Sequence, residues 1–100
     1  MKTTIQEIDG KYIATLDGEM DTPSAQKAEE VLSPLYTSDG KDVIINCKGL
    51  EYIASSGLRI LLSILKGAKG SGSRVVLKDV NDDIKNVFRL TGFIDIFEFE

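Results

Sequence analysis

The sequence predicts an α/β fold: one mixed sheet of about five strands carrying three helices, in the order β-β-α-β-α-β-α-β. Three observations carry it. Asp9-Gly10 separates two short strand-like runs, Thr3–Ile8 and Lys11–Leu16, and an Asp-Gly pair tolerates positive φ at both central positions of a two-residue hairpin. VIINC (43–47) and RVVLK (74–78) are rich in β-branched residues, and segments of helical period stand before and after each. Strand–helix–strand repeats imply parallel pairs, while the opening hairpin adds an antiparallel one.

The elements follow in order. LDGEMD (16–21) leads out of the second strand, and Thr22-Pro23 opens a helix, because proline holds Thr22 in the extended geometry an N-cap needs and loses nothing at the first helical position. Ala25, Ala28, Val31, Leu32 and Leu35 supply that helix with an apolar face, and Pro34 predicts a kink or a tightened last turn. VIINC is nearly all apolar, which suits a central strand covered on both faces. The next helix spans Leu58–Lys69, with Leu58, Leu61, Leu62, Leu65 and Ala68 on one face, Gly70 just past its end, and 70–73 as a flexible connection. Asn81–Leu90 is a third helical pattern with Ile84, Val87, Phe88 and Leu90 inward, ended by Thr91-Gly92. Phe93–Phe99 alternates and reads as a short closing strand.

Composition narrows the function. One hundred residues, 42% hydrophobic and 28% charged, make a single soluble domain over residues 1–100. MKTTIQEIDG has neither the apolar stretch nor the cleavage site of a secretory signal, and no apolar run approaches a bilayer's thickness, so the chain reads as cytoplasmic and not inserted in a membrane. The net charge of −4, with scattered Lys and Arg, argues against nucleic acid as a partner. Cys47 stands alone and reads as a small buried thiol. There is no histidine, so there is no Ser-His-Asp triad, no Cys-His pair and no imidazole-bound zinc. No catalytic residue, metal ligand set or cofactor site is visible, and the chain reads as a binding protein and not an enzyme.

The most informative segment is Tyr52–Leu58, where a strand ends and Ser55-Ser56-Gly57 opens an apolar helix. Two readings stand side by side. Either serine would serve as an N-cap, accepting a bond from an orphan amide of the first turn. Alternatively Ser56 is a phosphorylation switch: a phosphate at a helix N-terminus is favoured by free amides and dipole, so the modified chain need not unfold. It would add about −1.5 to −2 charge to an exposed surface and could reject a partner without altering the fold.

VIINCKGLEYIASSGLRILL resembles the signature of STAS domains in bacterial anti-sigma factor antagonists, a hydrophobic strand and small loop followed by Asp-Ser-Ser-Gly or Asp-Thr-Ser-Gly at the start of an apolar helix. LDGEMDTPSAQ is similar to the family's Leu-x-Gly-Glu-Leu-Asp segment, and VNDDIKNVFRLTGFIDIFEF to its last helix, Thr-Gly break and closing strand. The resemblance implies a STAS fold over nearly the whole chain. It implies that Ser56 is the phosphorylated residue, modified by a partner that is both anti-sigma factor and serine kinase, and reset by a separate phosphatase. It implies that Gly18, Glu19 and Asp21 form an acidic turn that lies beside the serine loop and helps contact the kinase; with Ser55, Ser56 and Gly57, and with Arg59 added on its own chemistry, these are the expected partner-binding residues. Unmodified, such an antagonist captures the anti-sigma factor and frees sigma.

Two departures from the pattern are visible. Ala54 stands where the family has aspartate, and Asn46 stands at a position that is acidic late in the preceding strand, so the loop is expected to be less negative than usual. Arg59, where a small residue is common, lies one turn beyond Ser56 and is placed to neutralise a phosphate or to meet an acidic partner residue; a solvated helix arginine is the plainer alternative. The missing aspartate also admits a second function, a structural STAS subunit of an ABC lipid transporter or of a stress-signalling assembly. GAKGSGS (67–73) lacks the order and flanks of a phosphate loop and reads as a linker. Asp82-Asp83 reads as an acidic helix start, and Ser55-Ser56-Gly57 lacks the first glycine of a hydrolase nucleophile elbow.

Overall fold

In the computed structural model, which describes residues 1–100, Asp9 and Gly10 take φ of 53° and 77° and turn β1 (Lys2–Ile8) back along β2 (Lys11–Met20). Each later strand is reached through a helix, as the spacing predicts. Chain order continues with α1 (Thr22–Leu32), a 3₁₀ turn (Ser33–Thr37), β3 (Val43–Ile53), α2 (Ser55–Gly70), β4 (Val75–Lys78), α3 (Asp82–Leu90) and β5 (Glu98–Phe99). The sheet order is β1-β2-β3-β4-β5; β1 and β2 are antiparallel and every other pair is parallel. No helix is long and apolar enough to cross a membrane.

Several boundaries differ from the sequence reading, each for a local reason. β2 does not end at Leu16 but runs on to Met20, which keeps the inward phase of Ala14 and Leu16; the two irregularities in its pairing with β3 put the extra residues on β3, between Asn46 and Gly49 and between Leu50 and Tyr52. Gly18 pairs with Leu50 beside the second irregularity at φ 111°, where a side chain would also crowd the Met1 backbone. The cap of α1 is Asp21 and not Thr22: its carboxylate accepts the Ser24 N–H at 2.9 Å, and Pro23 falls one position deeper in the first turn. Ala25, Ala28, Leu32 and Leu35 are buried as expected, whereas Val31 projects outward. Pro34 falls in the first turn of the tighter 3₁₀ segment, the distortion its ring predicts.

β3 is longer than VIINC and is fully covered on one face only. Val43, Ile45, Cys47, Leu50 and Ile53 are buried, while Ile44 and Asn46 between them are half-buried. α2 continues through Gly70, so Gly67–Gly70 are helical and the connection moves from 70–73 to 71–74. Gly72, at φ 78°, supplies the left-handed residue expected of Gly70. Its N–H bonds the Lys69 carbonyl at 3.2 Å and the Ser73 N–H bonds that of Ala68 at 2.8 Å, which closes the helix in a Schellman arrangement.

Asn81 caps α3 by accepting the Ile84 N–H at 2.8 Å, and its own amide donates to the Leu50 carbonyl at 3.1 Å, tying the helix to the end of β3. Asp82 and Asp83 occupy the first turn, favourably placed in the dipole. Ile84 and Phe88 are buried. Leu90 is 80% exposed, contrary to expectation, because six residues beyond Ile84 the helical period has carried it to the outer face. The tail is not a strand over its length: only Glu98 and Phe99 pair with β4, and the amides of Phe93 and Ile94 instead bond the Phe88 carbonyl. Phe97 and Phe99 meet the Phe88 ring edge-on, each at 5.4 Å between centroids, so aromatic packing seats the C-terminal residues.

Cys47 lies within this core, and burial, reinforced by the charge of Asp79, pushes its thiol up to about 12. It stays protonated and inert at neutral pH. The native chain is expected to resist a disulfide reagent at pH 8 and to react fully once unfolded in urea; rapid labelling of the native chain would show the strand to be open. Because the thiol's folded value exceeds its ordinary 9.0, the native state holds the proton longer, so stability falls as pH rises from about 9 to about 12. Cys47→Ala removes that component of the alkaline loss.

Candidate phosphoacceptor site at the start of α2

The site is assembled where β2 and β3 end side by side. Their parallel register sets Glu19 beside Tyr52 and Met20 beside Ile53, and the Ala54 N–H bonds the Met20 carbonyl at 2.9 Å. This brings Asp21 and Thr22, at the start of α1, next to the first turn of α2. Ala54, extended at φ −83° and ψ 167°, is the N-cap of α2, and its carbonyl accepts the first helical bond from the Leu58 N–H at 3.1 Å. Neither serine is therefore the cap, which corrects the plainer of the two sequence readings. Ser55 and Ser56 are the first and second helical residues, and the N–H groups of Ser55, Ser56 and Gly57 precede that first bond.

Ser55 is exposed and Ser56 half-buried, with its hydroxyl donating to Thr22 Oγ1 at 3.4 Å. This weak bond reaches across 34 positions of sequence and leaves the oxygen's lone pairs free. Gly57 is buried for a packing reason: a Cβ there would lie 2.9 Å from Ile53 Cγ1 and 2.9 Å from Met20 Sδ. Its missing side chain lets the helix start sit down on the strand ends, and so fixes the height at which the two serines emerge.

The acidic segment is beside the serines as expected, but as the end of a strand and not as a turn. Gly18 takes a positive φ there, and Glu19 extends into solvent. The carboxylate of Asp21 is already engaged, held below the usual range by the backbone and hydroxyl of Ser24. Asp21 thus positions α1, and only Glu19 offers an unengaged carboxylate there. Asn46 does not belong to this place. It pairs in register with Thr15 and Lys78, and its side chain accepts the Lys48 N–H at 3.1 Å. It lies seven positions before Ile53 along the strand, roughly 20 Å, so an acid lost there leaves the charge around Ser56 unchanged. Ala54 is the departure that lies at the site.

Arg59 is exposed and makes no ion pair; the two present are Lys41–Glu7 and Arg74–Glu98. It borders two grooves. One, of about 170 Å³ between α1 and α2, is lined by Gln26, Glu29, Ser56, Arg59 and Ser63 among others. The second, of about 380 Å³, is apolar and lies between α2 and the segment after α3, against Leu58, Leu62 and Phe93. Sequence reasoning did not find Thr22 or Glu29 as neighbours of Ser56. Nothing local marks them; only the β2–β3 register and the crossing of α1 over α2 bring them there.

The STAS domain family model matches residues 2–100. The chain is 32% identical over 97 residues to BtrV of Bordetella bronchiseptica, a candidate anti-sigma factor antagonist, covering 97% of this chain and 84% of BtrV. It is 29% identical over 96 residues to the anti-sigma-B factor antagonist of Staphylococcus aureus, covering 96% and 87%. Among solved structures, SpoIIAA of Bacillus in its phosphorylated form superposes with a TM-score of 0.75 at 17% identity, covering 99% of this chain and 91% of that one. With the fold, the serine-bearing helix start and these relatives in agreement, the chain belongs to the STAS domain family of anti-sigma factor antagonists.

Proposed function

We propose that residues 1–100 act as one cytoplasmic binding domain that captures an anti-sigma factor and is switched off by phosphorylation of Ser56. The observation that carries this is a half-exposed hydroxyl at the second position of a helix, beside three amides that precede the first helical bond. Membership of the family and the existence of SpoIIAA in a phosphorylated form support it. In the modification step Ser56 Oγ attacks the γ-phosphorus of ATP held by the partner kinase. The new O–P bond replaces the bond to the β-phosphate oxygen, ADP leaves, and the hydroxyl proton passes to a base of the kinase. Hydrolysis of the serine phosphate by a phosphatase restores the hydroxyl.

Glu19, Ser55, Ser56 and Arg59 present the docking face, while Gly18, Asp21 and Gly57 set its shape from below. A phosphate on Ser56 places about two negative charges at the centre of that face, and the helix start tolerates them, so the fold persists while the partner is rejected.

Incubation with the cognate kinase and ATP, followed by peptide mapping, is expected to find one phosphate, on Ser56. Modification elsewhere, or none from a kinase active on another substrate, overturns the switch. Co-purification with a transport ATPase or a large scaffold in place of an ATP-binding kinase would instead favour the structural-subunit reading that Ala54 admits.

A further inference from the structure

We propose that Arg59 is the intramolecular counter-cation of a phosphate on Ser56, so that modification withdraws a guanidinium from the docking face while it adds an anion; this rests on the reading of Ser56 as the acceptor. Residues three apart on a helix are neighbours, and side chains lean back over the turn N-terminal to their own Cα. Arg59 therefore overlies the turn that begins with Ser56, and both line the groove between α1 and α2.

The guanidinium is free to make this move. It holds no carboxylate. The one carboxylate lining the same groove, Glu29, accepts the Tyr36 hydroxyl at 2.6 Å and is thereby directed toward the 3₁₀ turn. Asp21, the nearest acid at the start of α1, is occupied by Ser24. A phosphate on Ser56 would find one unpaired planar cation within a helical turn, of the geometry that suits its oxygens.

Arg59 also borders the apolar groove on the other side of α2. In the unmodified chain it is available there, or at the face between the grooves, to a carboxylate of the partner. Drawn to the phosphate it is not. The local change is then from one accessible positive charge to a net negative one, a reversal of sign. Glu19 contributes the same charge in both states.

The test uses the full chain with phosphoserine placed at position 56 during synthesis, so that no kinase is needed. The second ionisation of the phosphate is followed by ³¹P NMR between about pH 4 and pH 8, spanning its ordinary value of about 6. An adjacent cation favours the dianion, so Arg59→Gln is expected to raise that pKa by about half a unit or more, a threefold change in proton affinity. Arg59→Lys should recover part of the difference as a point charge. Tyr36→Phe, which frees Glu29 to compete for Arg59, should move the value in the same direction as Arg59→Gln. Identical titrations in the parent and Arg59→Gln overturn the inference and leave Ser56 as acceptor untouched; failure of the kinase to modify Ser56 strikes the proposed switch and not this measurement.

Discussion

Replacing Gly67 with alanine is expected to destabilise the fold by about 3 kcal/mol or more, although helix propensity alone favours the substitution by about 1 kcal/mol. A Cβ at this position would lie 1.9 Å from the Tyr36 carbonyl oxygen and 2.8 Å from the carbonyl carbon. Both atoms are backbone, so no rotamer change relieves the overlap. The helix would have to lift off the 3₁₀ turn. Three serine hydroxyls close the same junction, with Ser38, Ser71 and Ser73 at 3.3 to 3.4 Å from one another and Ser38 fully buried, and they would part as the helix moved. For a domain of this size the melting temperature should fall by roughly 10–25 °C. Gly70→Ala provides the control, since nothing lies within 4 Å of its added methyl, and it should melt at or slightly above the parent. Thermal and urea unfolding followed by circular dichroism decide the matter. A Gly67→Ala protein as stable as the parent would mean that α2 and the 3₁₀ turn are not in backbone contact.

The second large effect is on binding. Ser56→Asp is expected to weaken capture of the anti-sigma partner about a hundredfold, close to 3 kcal/mol, because it sets a permanent carboxylate in the centre of the docking face. Ser56→Ala removes only a hydroxyl whose bond to Thr22 is long, and should bind within about threefold of the parent. Stability separates a failure to bind from a failure to fold. A carboxylate in the first turn of α2 meets the positive end of the helix dipole, so Ser56→Asp should melt no lower than the parent. Isothermal titration against the purified partner measures the affinities. Equal values for the two variants would remove charge as the basis of the switch, whatever the kinase modifies.

Elements whose information is local were legible in the sequence. Asp9-Gly10 specifies its turn through two positive φ values, and Pro34 tightens the chain through its own ring. Helical period placed Leu58, Leu61, Leu65 and Ala68 of α2 and Ile84 and Phe88 of α3 in the core, but Leu62 is only half-buried, Ile60 and Ile64 are buried outside the expected face, and Leu90, expected inside, is carried outward. The place where α2 opens was legible from Ser55-Ser56-Gly57, but the helix expected from Leu58 begins three residues earlier, at Ser55, and its cap is Ala54, which has no side-chain oxygen to advertise the role. The closing Phe93–Phe99 segment misled for the opposite reason: its alternation has the period of a strand, but the Phe88 carbonyl takes its first amides and leaves two residues to pair.

What this sequence determined without further help was the alternation of strands and helices, and the placing of a serine where a helix begins. Turn chemistry and periodicity act over a few residues, and those residues are adjacent in the chain. Only the tertiary structure decided what surrounds that serine: Thr22 across 34 positions, the free guanidinium of Arg59, and the engagement of Glu29 and Asp21 elsewhere. It also decided that Gly67 cannot be replaced and that Asn46 lies far from the site. These relations depend on parallel strand register and on one helix crossing another, which unite segments that no local pattern connects.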